Sequence, residues 1–226
     1  MVHFYTVTSP QPAVSLLTAR ITDALTSGRK VLWLVSGGST IAVSVAVMEA
    51  LRNGAVAMDR LTIMQVDERY GDVGHIDSNW RQLQAAGFVT DAANALPLLR
   101  GAPLETTRQQ YQAALQTALD TADFCIGLFG IGSDGHTAGI LPNSPAAQPD
   151  APLVCAYSGP DYVRLTITKP VFALLDCAIA YAVGNSKAST LQKLYETDTD
   201  SAEQPAQLLK QATETYIYND YLEGDI

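Results

Sequence analysis

Val31-Leu32-Trp33-Leu34-Val35 is a continuous apolar run, and Ser36-Gly37-Gly38-Ser39-Thr40 follows it directly. A short run that is apolar throughout is typical of a strand covered on both faces. A helical pattern then extends over residues 41–52, with Asn53-Gly54 as its stop signal. This stretch therefore predicts a buried strand, a glycine-rich turn and a helix in immediate succession.

The same alternation continues along the chain of 226 residues and 24.1 kDa. Residues 106–122 have the pattern of a long amphipathic helix, and a further helix is predicted from the turn at residues 184–187 to about residue 195. Further strands are predicted at residues 61–66, 124–129, 163–168 and 178–183. Alternating strands and helices predict an α/β fold, a single doubly wound domain over residues 1–226 with a mostly parallel, Rossmann-like sheet.

Composition restricts the classes of protein to which the chain can belong. Hydrophobic residues make up 47% and charged residues 16%, which provides a core and excludes bulk disorder. Lys and Arg total 14 against 23 Asp and Glu, for a net charge of −9. A broad nucleic-acid-binding face needs clustered positive charge, so we expect no nucleic-acid partner. A small anion can still be bound where a few cations and N–H groups converge.

Several features predict a cytoplasmic location and no membrane association. The N-terminus lacks a basic region followed by an apolar stretch, and no apolar run approaches the roughly 20 residues that span a bilayer. The three cysteines, Cys125, Cys155 and Cys177, are widely spaced and fit no metal-binding pattern. We expect them to be buried, reduced thiols.

Ligands of doubly wound sheets bind beyond the carboxyl ends of the strands, and the glycine-rich turn after residues 31–35 lies at such an end. Gly37 and Gly38 let the backbone approach a ligand, and N–H groups at a helix start attract anions. Ser39 and Thr40 are candidates to cap the helix or to donate hydroxyl groups. The turn lacks the G-K-[ST] ending of a P-loop, and an ordinary tight turn with a helix cap remains the alternative.

Two other strand ends carry charged residues. Asp67-Glu68-Arg69 follows the second predicted strand, where Arg69 is a candidate to hold a phosphate and the carboxylates to position a polar group. Gly184-Asn185-Ser186-Lys187 joins a strand to a helix, and Lys187 near a helix start is unfavourable unless an anion lies beside it. Solvated surface charges are the alternative interpretation of both segments.

The segment from Gly130 to Thr137 follows the strand at residues 124–129 and contains G-x-G-x-x-G. A dinucleotide site is not favoured, because Gly139 and Pro142 compromise the helix that such a motif should open. A nucleophile elbow also fails, because Ile131 stands where its first glycine should be. The segment instead presents a histidine suited to proton transfer near neutral pH, with a carboxylate nearby to orient it. These residues are His136 and Asp134, and the alternative is a loop histidine that makes a single hydrogen bond.

Taken together and in this order, the motifs resemble the glucosamine-6-phosphate isomerase/6-phosphogluconolactonase family. The resemblance covers most of the chain, and its most specific part is the DGHTA segment at residues 134–138. The matching segments are SGGST at 36–40, DER at 67–69, DSNW at 77–80, GIGSDGHTAGILP at 130–142, RLTIT at 164–168 and GNSK at 184–187.

Two positions favour the lactonase branch within this resemblance. Deaminase-like members typically carry an acidic residue before the proline that closes the DGH segment, and here Leu141 precedes Pro142. They also tend to lack an arginine after the Asp-Glu pair, whereas Arg69 is present.

The resemblance implies hydrolysis of 6-phospho-D-glucono-1,5-lactone to 6-phosphogluconate. No cluster of His, Cys, Asp and Glu has metal-ligand spacing, so we expect no metal or other cofactor. His136 would be the general base, with Asp134 or Asp67 orienting the histidine or the sugar hydroxyls. The turn of Gly37, Gly38 and Ser39 would bind substrate, its N–H groups stabilising the oxyanion, and Arg69 and Lys187 would hold the phosphate. An amino-sugar-phosphate deaminase or isomerase and a non-catalytic sugar-phosphate sensor remain alternatives, and we expect a monomer or homodimer.

Overall fold

The computed structural model describes residues 1–226 and contains eleven strands, six α-helices and four short 3-10 helices. The strands are β1 (Val2–Thr6), β2 (Val31–Val35), β3 (Leu61–Gln65), β4 (Asp67–Arg69), β5 (Asn94–Leu96), β6 (Phe124–Phe129), β7 (Val154–Ser158), β8 (Val163–Ile167), β9 (Cys177–Ala182), β10 (Glu214–Asn219) and β11 (Gly224–Asp225). The α-helices are α1 (Gln11–Thr26), α2 (Ile41–Asn53), α3 (Asn79–Ala85), α4 (Leu104–Thr121), α5 (Lys169–Phe172) and α6 (Ala188–Glu196).

Eight strands form the main sheet in the order β11-β1-β10-β9-β6-β2-β3-β5. All neighbouring pairs are parallel except β1 with the two-residue strand β11. The predicted fold class, a doubly wound and mostly parallel sheet, is therefore confirmed. The chain builds outward from β2 through β3 to β5 and then returns to the other side of β2 with β6. The order reverses between β2 and β6, and ligands of such sheets bind at this kind of crevice.

Both faces of the sheet are buried, which explains the apolar sequence of β2. Leu32 and Leu34 belong to one core cluster, while Val31, Trp33 and Val35 belong to the other. The helices cover these faces with apolar stripes at helical spacing, as α1 does with buried residues at positions 13, 14, 17, 21, 24 and 25. No helix is both long and apolar enough to span a bilayer.

The structure adds elements that the sequence patterns did not predict. A second sheet of three antiparallel strands has the order β4-β8-β7. The first and last long strands, β1 and β10, pair in parallel and bring the two ends of the chain together in the main sheet. The predicted helix at residues 106–122 corresponds to α4 with its bounds shifted by one or two residues. The extent of a single domain over residues 1–226 stays a prediction.

Candidate active site

Four neighbouring strands of the main sheet end at one edge, and the segments that follow them line one cleft of about 340 Å³. These strands are β9, β6, β2 and β3, each followed by one of the motifs identified in the sequence. Of the predicted site residues only Asp134 is not in contact with the cleft, and it bonds directly to a residue that is. The lining residues are Ser36, Gly37, Gly38, Ser39, Asp67, Arg69, Asn79, Gly130, Ile131, Gly132, Ser133, His136, Ala138, Arg164, Ser186 and Lys187.

The turn after β2 lines the cleft with Ser36, Gly37, Gly38 and Ser39. Gly38 has a φ of +62°, a conformation that glycine adopts without strain. A Cβ at Gly37 would overlap the side chain of Asn79, which packs against the turn. Neither Ser39 nor Thr40 caps α2 with its side chain; the Thr40 hydroxyl instead donates to the carbonyls of Ser36 and Gly37. The turn is thus fixed from within, and the Gly37 N–H is left without an acceptor in the protein.

The loop after β6 presents His136 together with Asp134. Nδ1 of His136 lies 2.6 Å from Oδ1 of Asp134, whose other contact is the backbone N–H of His136 at 3.1 Å. Partial burial acts to raise the pKa of Asp134, but the hydrogen bonds and charge of His136 outweigh it, and the pKa lies below its usual value. The carboxylate is therefore an acceptor at neutral pH, and Nδ1 carries the proton. Nε2, which has no partner in the protein, is left as the basic nitrogen.

Strand β4 directs alternate side chains to opposite sides, so Asp67 and Arg69 reach the cleft together. The side chain of Asp67 is almost completely buried, and no hydrogen bond from the protein stabilises its charge. Burial raises the pKa of Asp67 to about 6, although Arg69, Arg164 and His136 act in the opposite direction. Asp67 therefore lines the cleft as a buried carboxyl group whose ionised form is disfavoured by its surroundings.

Glu68 points away from the cleft and is fully buried. Its carboxylate accepts from the backbone N–H groups of Asn79 and Trp80 at the start of α3, at 2.6 and 3.0 Å, and from the Ser78 hydroxyl at 2.9 Å. A negative charge at a helix N-terminus is favourable, and these bonds join β4 to α3. The charged run at residues 67–69 is thus a strand with a buried centre rather than a solvated loop.

Arg164 lines the cleft as well, and our sequence analysis gave it no role. It lies directly opposite Arg69 in the pairing of β4 with β8. The Nε atoms of both arginines are buried without a hydrogen-bond partner, and both guanidinium groups pack on the ring of Tyr162, at 5.3 and 5.7 Å. Arg164 also donates to both carboxylate oxygens of Asp161, at 2.8 and 2.9 Å, so its charge is partly compensated within the protein. Like charges that face each other across strands repel, and an anion between the two arginines relieves the remaining repulsion.

Lys187 completes the positive side of the cleft from the turn after β9. Burial lowers the pKa of Lys187, and the charge of Asp220 offsets only part of this effect. Asp220 also accepts from the N–H of Gly184, at 3.0 and 3.1 Å, and so fixes the turn in which Gly184 has a φ of +113°. A half-buried ammonium without a hydrogen-bonded carboxylate is a site at which a bound anion is favoured.

The structure contains neither a cluster of metal-ligating side chains nor a reactive cysteine. No group of three or more His, Cys, Asp and Glu side chains is close enough to hold a metal ion. The three cysteines are buried and free, as predicted. Burial raises the pKa of Cys125 and of Cys177 to about 12, so neither is a thiolate nucleophile at neutral pH.

A parallel sheet that presents a histidine–carboxylate pair and three cations at one edge has the features of an enzyme for a small anionic substrate. The family model described as "Glucosamine-6-phosphate isomerases/6-phosphogluconolactonase" matches residues 9–218. The chain therefore belongs to this family, and the resemblance found in its motifs is confirmed.

Individual relatives carry the lactonase name. A 6-phosphogluconolactonase from Synechocystis sp. is 28% identical over 207 residues, which cover 88% of this chain and 85% of the relative. A 6-phosphogluconolactonase from Pseudomonas aeruginosa is 32% identical over 195 residues, covering 77% and 76%. The crystal structure of 6-phosphogluconolactonase from Thermotoga maritima has a TM-score of 0.81 at 20% identity, over 97% of this chain and 99% of that one. This last similarity shows a shared fold.

Proposed function

We propose that the protein hydrolyses 6-phospho-D-glucono-1,5-lactone to 6-phosphogluconate. The observation that carries the proposal is the presence of the His136–Asp134 pair and of Arg69, Arg164 and Lys187 around one cleft. The lactonase names of the relatives support the choice of substrate.

The three cations hold the substrate phosphate, whose charge at neutral pH is close to −2. The paired arginines provide N–H donors in a fixed planar geometry, and Lys187 provides a point charge. The protein has a net charge of −9, so this local group of cations also defines where a dianion binds.

The lactone carbonyl then lies near His136, whose Nε2 accepts a proton from a water molecule. The resulting hydroxide attacks the carbonyl carbon. The former carbonyl oxygen then carries the negative charge of a tetrahedral intermediate. The N–H of Gly37, free of any protein acceptor, stabilises this oxyanion. Collapse of the intermediate breaks the bond between the carbonyl carbon and the ring oxygen, and the imidazolium returns its proton to that oxygen. The product has a free hydroxyl and a carboxylic acid, which releases its proton to solvent at neutral pH and becomes a carboxylate.

The two candidate carboxylates have separate roles in this proposal. Asp134 keeps the proton on Nδ1 of His136 and so leaves Nε2 basic. Asp67 accepts a hydrogen bond from a sugar hydroxyl, because it lines the cleft and has no donor in the protein. Neither role requires a metal ion or a covalent intermediate.

The combined effects are sufficient for this reaction, because the lactone already hydrolyses slowly in water. A general base contributes ~10²–10⁴-fold, and one oxyanion donor contributes ~10²–10³-fold.

A lactone hydrolysis assay tests the proposal. The substrate is generated freshly, a chelator is present, and the spontaneous rate is subtracted. We expect hydrolysis by the wild type and a loss of roughly 10²–10⁴-fold in kcat for His136→Ala, with substrate affinity retained. Near-normal turnover in that variant would remove His136 from the mechanism.

The same preparation distinguishes the two other activities. Incubation with glucosamine 6-phosphate releases no ammonia on this proposal, because Leu141 packs against the apolar core and gives His136 no second carboxylate. Ammonia release would instead indicate a deaminase. A thermal shift with 6-phosphogluconate but no turnover of the lactone would indicate a sensor.

A further inference from the structure

The loop that carries Asp134 and His136 is anchored in the core by Ile131 and Ile140, but its two polar side chains are not packed there. The side chains of His136 and Asp134 are 40% and 51% exposed. The two carbonyls that flank Asp134 are nevertheless both fixed. The Thr190 hydroxyl donates to the carbonyl of Ser133 at 2.6 Å, and the N–H of Ala206 donates to the carbonyl of Gly135 at 2.9 Å.

Thr190 is itself held in a buried polar chain. Its own carbonyl accepts from Nε2 of Gln204 at 2.9 Å, and Oε1 of Gln204 accepts from Nε2 of Gln207 at the same distance. All three side chains are more than nine-tenths buried. The Thr190 hydroxyl therefore has a defined position and direction, and it contacts the catalytic loop from outside the cleft.

Thr190 lies in the first turn of α6, three residues after Lys187. Residues three apart lie on the same side of a helix, so the start of α6 contacts the cleft through Lys187 and the loop through Thr190. We propose that Thr190 is a positioning residue that couples the binding of phosphate at Lys187 to the placement of His136. Phosphate binding fixes α6, and α6 fixes the carbonyl before Asp134. Binding energy from a non-reacting part of the substrate then serves the reaction step.

The inference rests on the proposed lactonase function, and its first test separates kcat from KM. Thr190→Val removes the hydroxyl but keeps the shape, and Thr190→Ser keeps the hydroxyl. We expect kcat to fall about 10- to 100-fold in Thr190→Val with KM within about threefold, and to recover in Thr190→Ser. If Thr190→Val does not fold, Thr190→Ala carries the same test.

Thr107→Val is the matched control. Thr107 is also buried in the first turn of a helix, and its hydroxyl also donates to a backbone carbonyl, that of Ala102 at 2.9 Å. Thr107 does not line the cleft. Removing its hydroxyl in Thr107→Val should therefore lower the unfolding temperature and leave kcat unchanged. An equal fall of kcat in both threonine variants would reduce the role of Thr190 to general stability and overturn the proposal.

The second test measures the coupling directly, with unphosphorylated glucono-1,5-lactone as substrate and inorganic phosphate as the added probe. Enzyme-free rates at each phosphate concentration are subtracted. We expect phosphate to raise kcat/KM of the wild type several-fold and to have no effect on Thr190→Val. No activation of the wild type, or equal activation of both proteins, would overturn the coupling. A wild type inactive on the phosphorylated lactone would reject the proposed function itself.

Discussion

Asp67 lines the cleft and Asp134 contacts His136, which also lines it, but the surroundings of the two carboxyl groups differ. Asp134 is half exposed, accepts two hydrogen bonds from His136 and stays ionised. Asp67 is buried without a donor and has a pKa of about 6. Burial without a hydrogen bond is unfavourable for the ionised form, so the folded protein keeps Asp67 at the expense of stability. A buried carboxyl group of this kind is typical of a residue that serves function.

Replacing Asp67 should therefore stabilise the protein in a pH-dependent way. The folded state binds the Asp67 proton more tightly than the unfolded chain, so the stability that this group contributes is full below about pH 4 and is lost as the pH rises through about 6. Asp67→Asn should raise the free energy of unfolding by about 3 kcal/mol at pH 8 and by well under 1 kcal/mol at pH 4. Denaturant unfolding at both pH values measures this. If the free energies of unfolding of Asp67→Asn and the wild type differed by the same amount at both pH values, the raised pKa of Asp67 would be contradicted.

Arg164 is the cation that only the structure places in the cleft, and its removal gives a separate prediction. Arg164→Ala should raise KM for the phosphorylated lactone by roughly 10- to 100-fold with a smaller effect on kcat, because a charge-assisted hydrogen bond contributes about 1.5–3 kcal/mol. Lys193→Ala, which removes an exposed cation from the last turn of α6, should leave KM unchanged. Steady-state kinetics on both variants measures these effects. A KM of Arg164→Ala equal to that of Lys193→Ala would remove Arg164 from the proposed phosphate site.

At the scale of elements, the site depends on loops that leave adjacent strands and pack against one another. The turn after β2 accommodates Asn79 only because residue 37 is glycine. The loop after β6 has the same property, since His136 and Asp134 pack directly on the Cα of Gly132. Close packing of this kind fixes side-chain direction without the help of a hydrophobic core.

Gly132→Ala is a test of that packing. The φ of Gly132 is not in the left-handed region, so alanine adds no backbone strain, but its Cβ would overlap Nδ1 of His136 and Oδ1 of Asp134. We expect kcat to fall by about 10²-fold, because small displacements of a catalytic group have such effects, while the unfolding temperature changes little. Gly130→Ala is the comparison, since its Cβ meets only Ser39 and Thr40 at ordinary distances of 3.7 and 3.8 Å. Equal losses in the two variants would contradict the explanation.

On the scale of the whole molecule, the sheet separates two apolar clusters, and the site lies at the edge of the sheet, where Ile131 of one cluster lines the cleft. Leu17 of α1 and Phe172 of α5 are fully buried in different clusters. Their packing supports the strands that carry the site, but neither side chain lines the cleft. Stability and substrate binding should therefore respond separately to changes in the core.

Large-to-small substitutions in the two clusters check this separation. Leu17→Ala should lower the free energy of unfolding by about 2–5 kcal/mol and Phe172→Ala by about 3–5 kcal/mol. KM for the lactone should remain at the wild-type value in both, measured well below the lowered unfolding temperature. A large rise in KM with little loss of stability would show that the core residue acts on the site.

Local patterns were sufficient to predict β2, β3, β6 and β9, because each of these strands is largely apolar and buried. They did not predict β4, since a three-residue strand of charged residues has no apolar periodicity and forms only by pairing with β8. They gave no role to Arg164 for the same reason: its position opposite Arg69 depends on the register between strands 95 residues apart in sequence (164 − 69).

The sequence by itself determined the α/β fold and the motifs that meet at one edge of the sheet. These properties follow from periodicity and glycine placement, which act over a few residues. Only the tertiary structure decided which carboxylate contacts His136, that Arg164 faces Arg69, and that Thr190 holds the catalytic loop. Those contacts join residues that are distant along the chain or depend on the direction of a loop side chain, and they are fixed by packing and register.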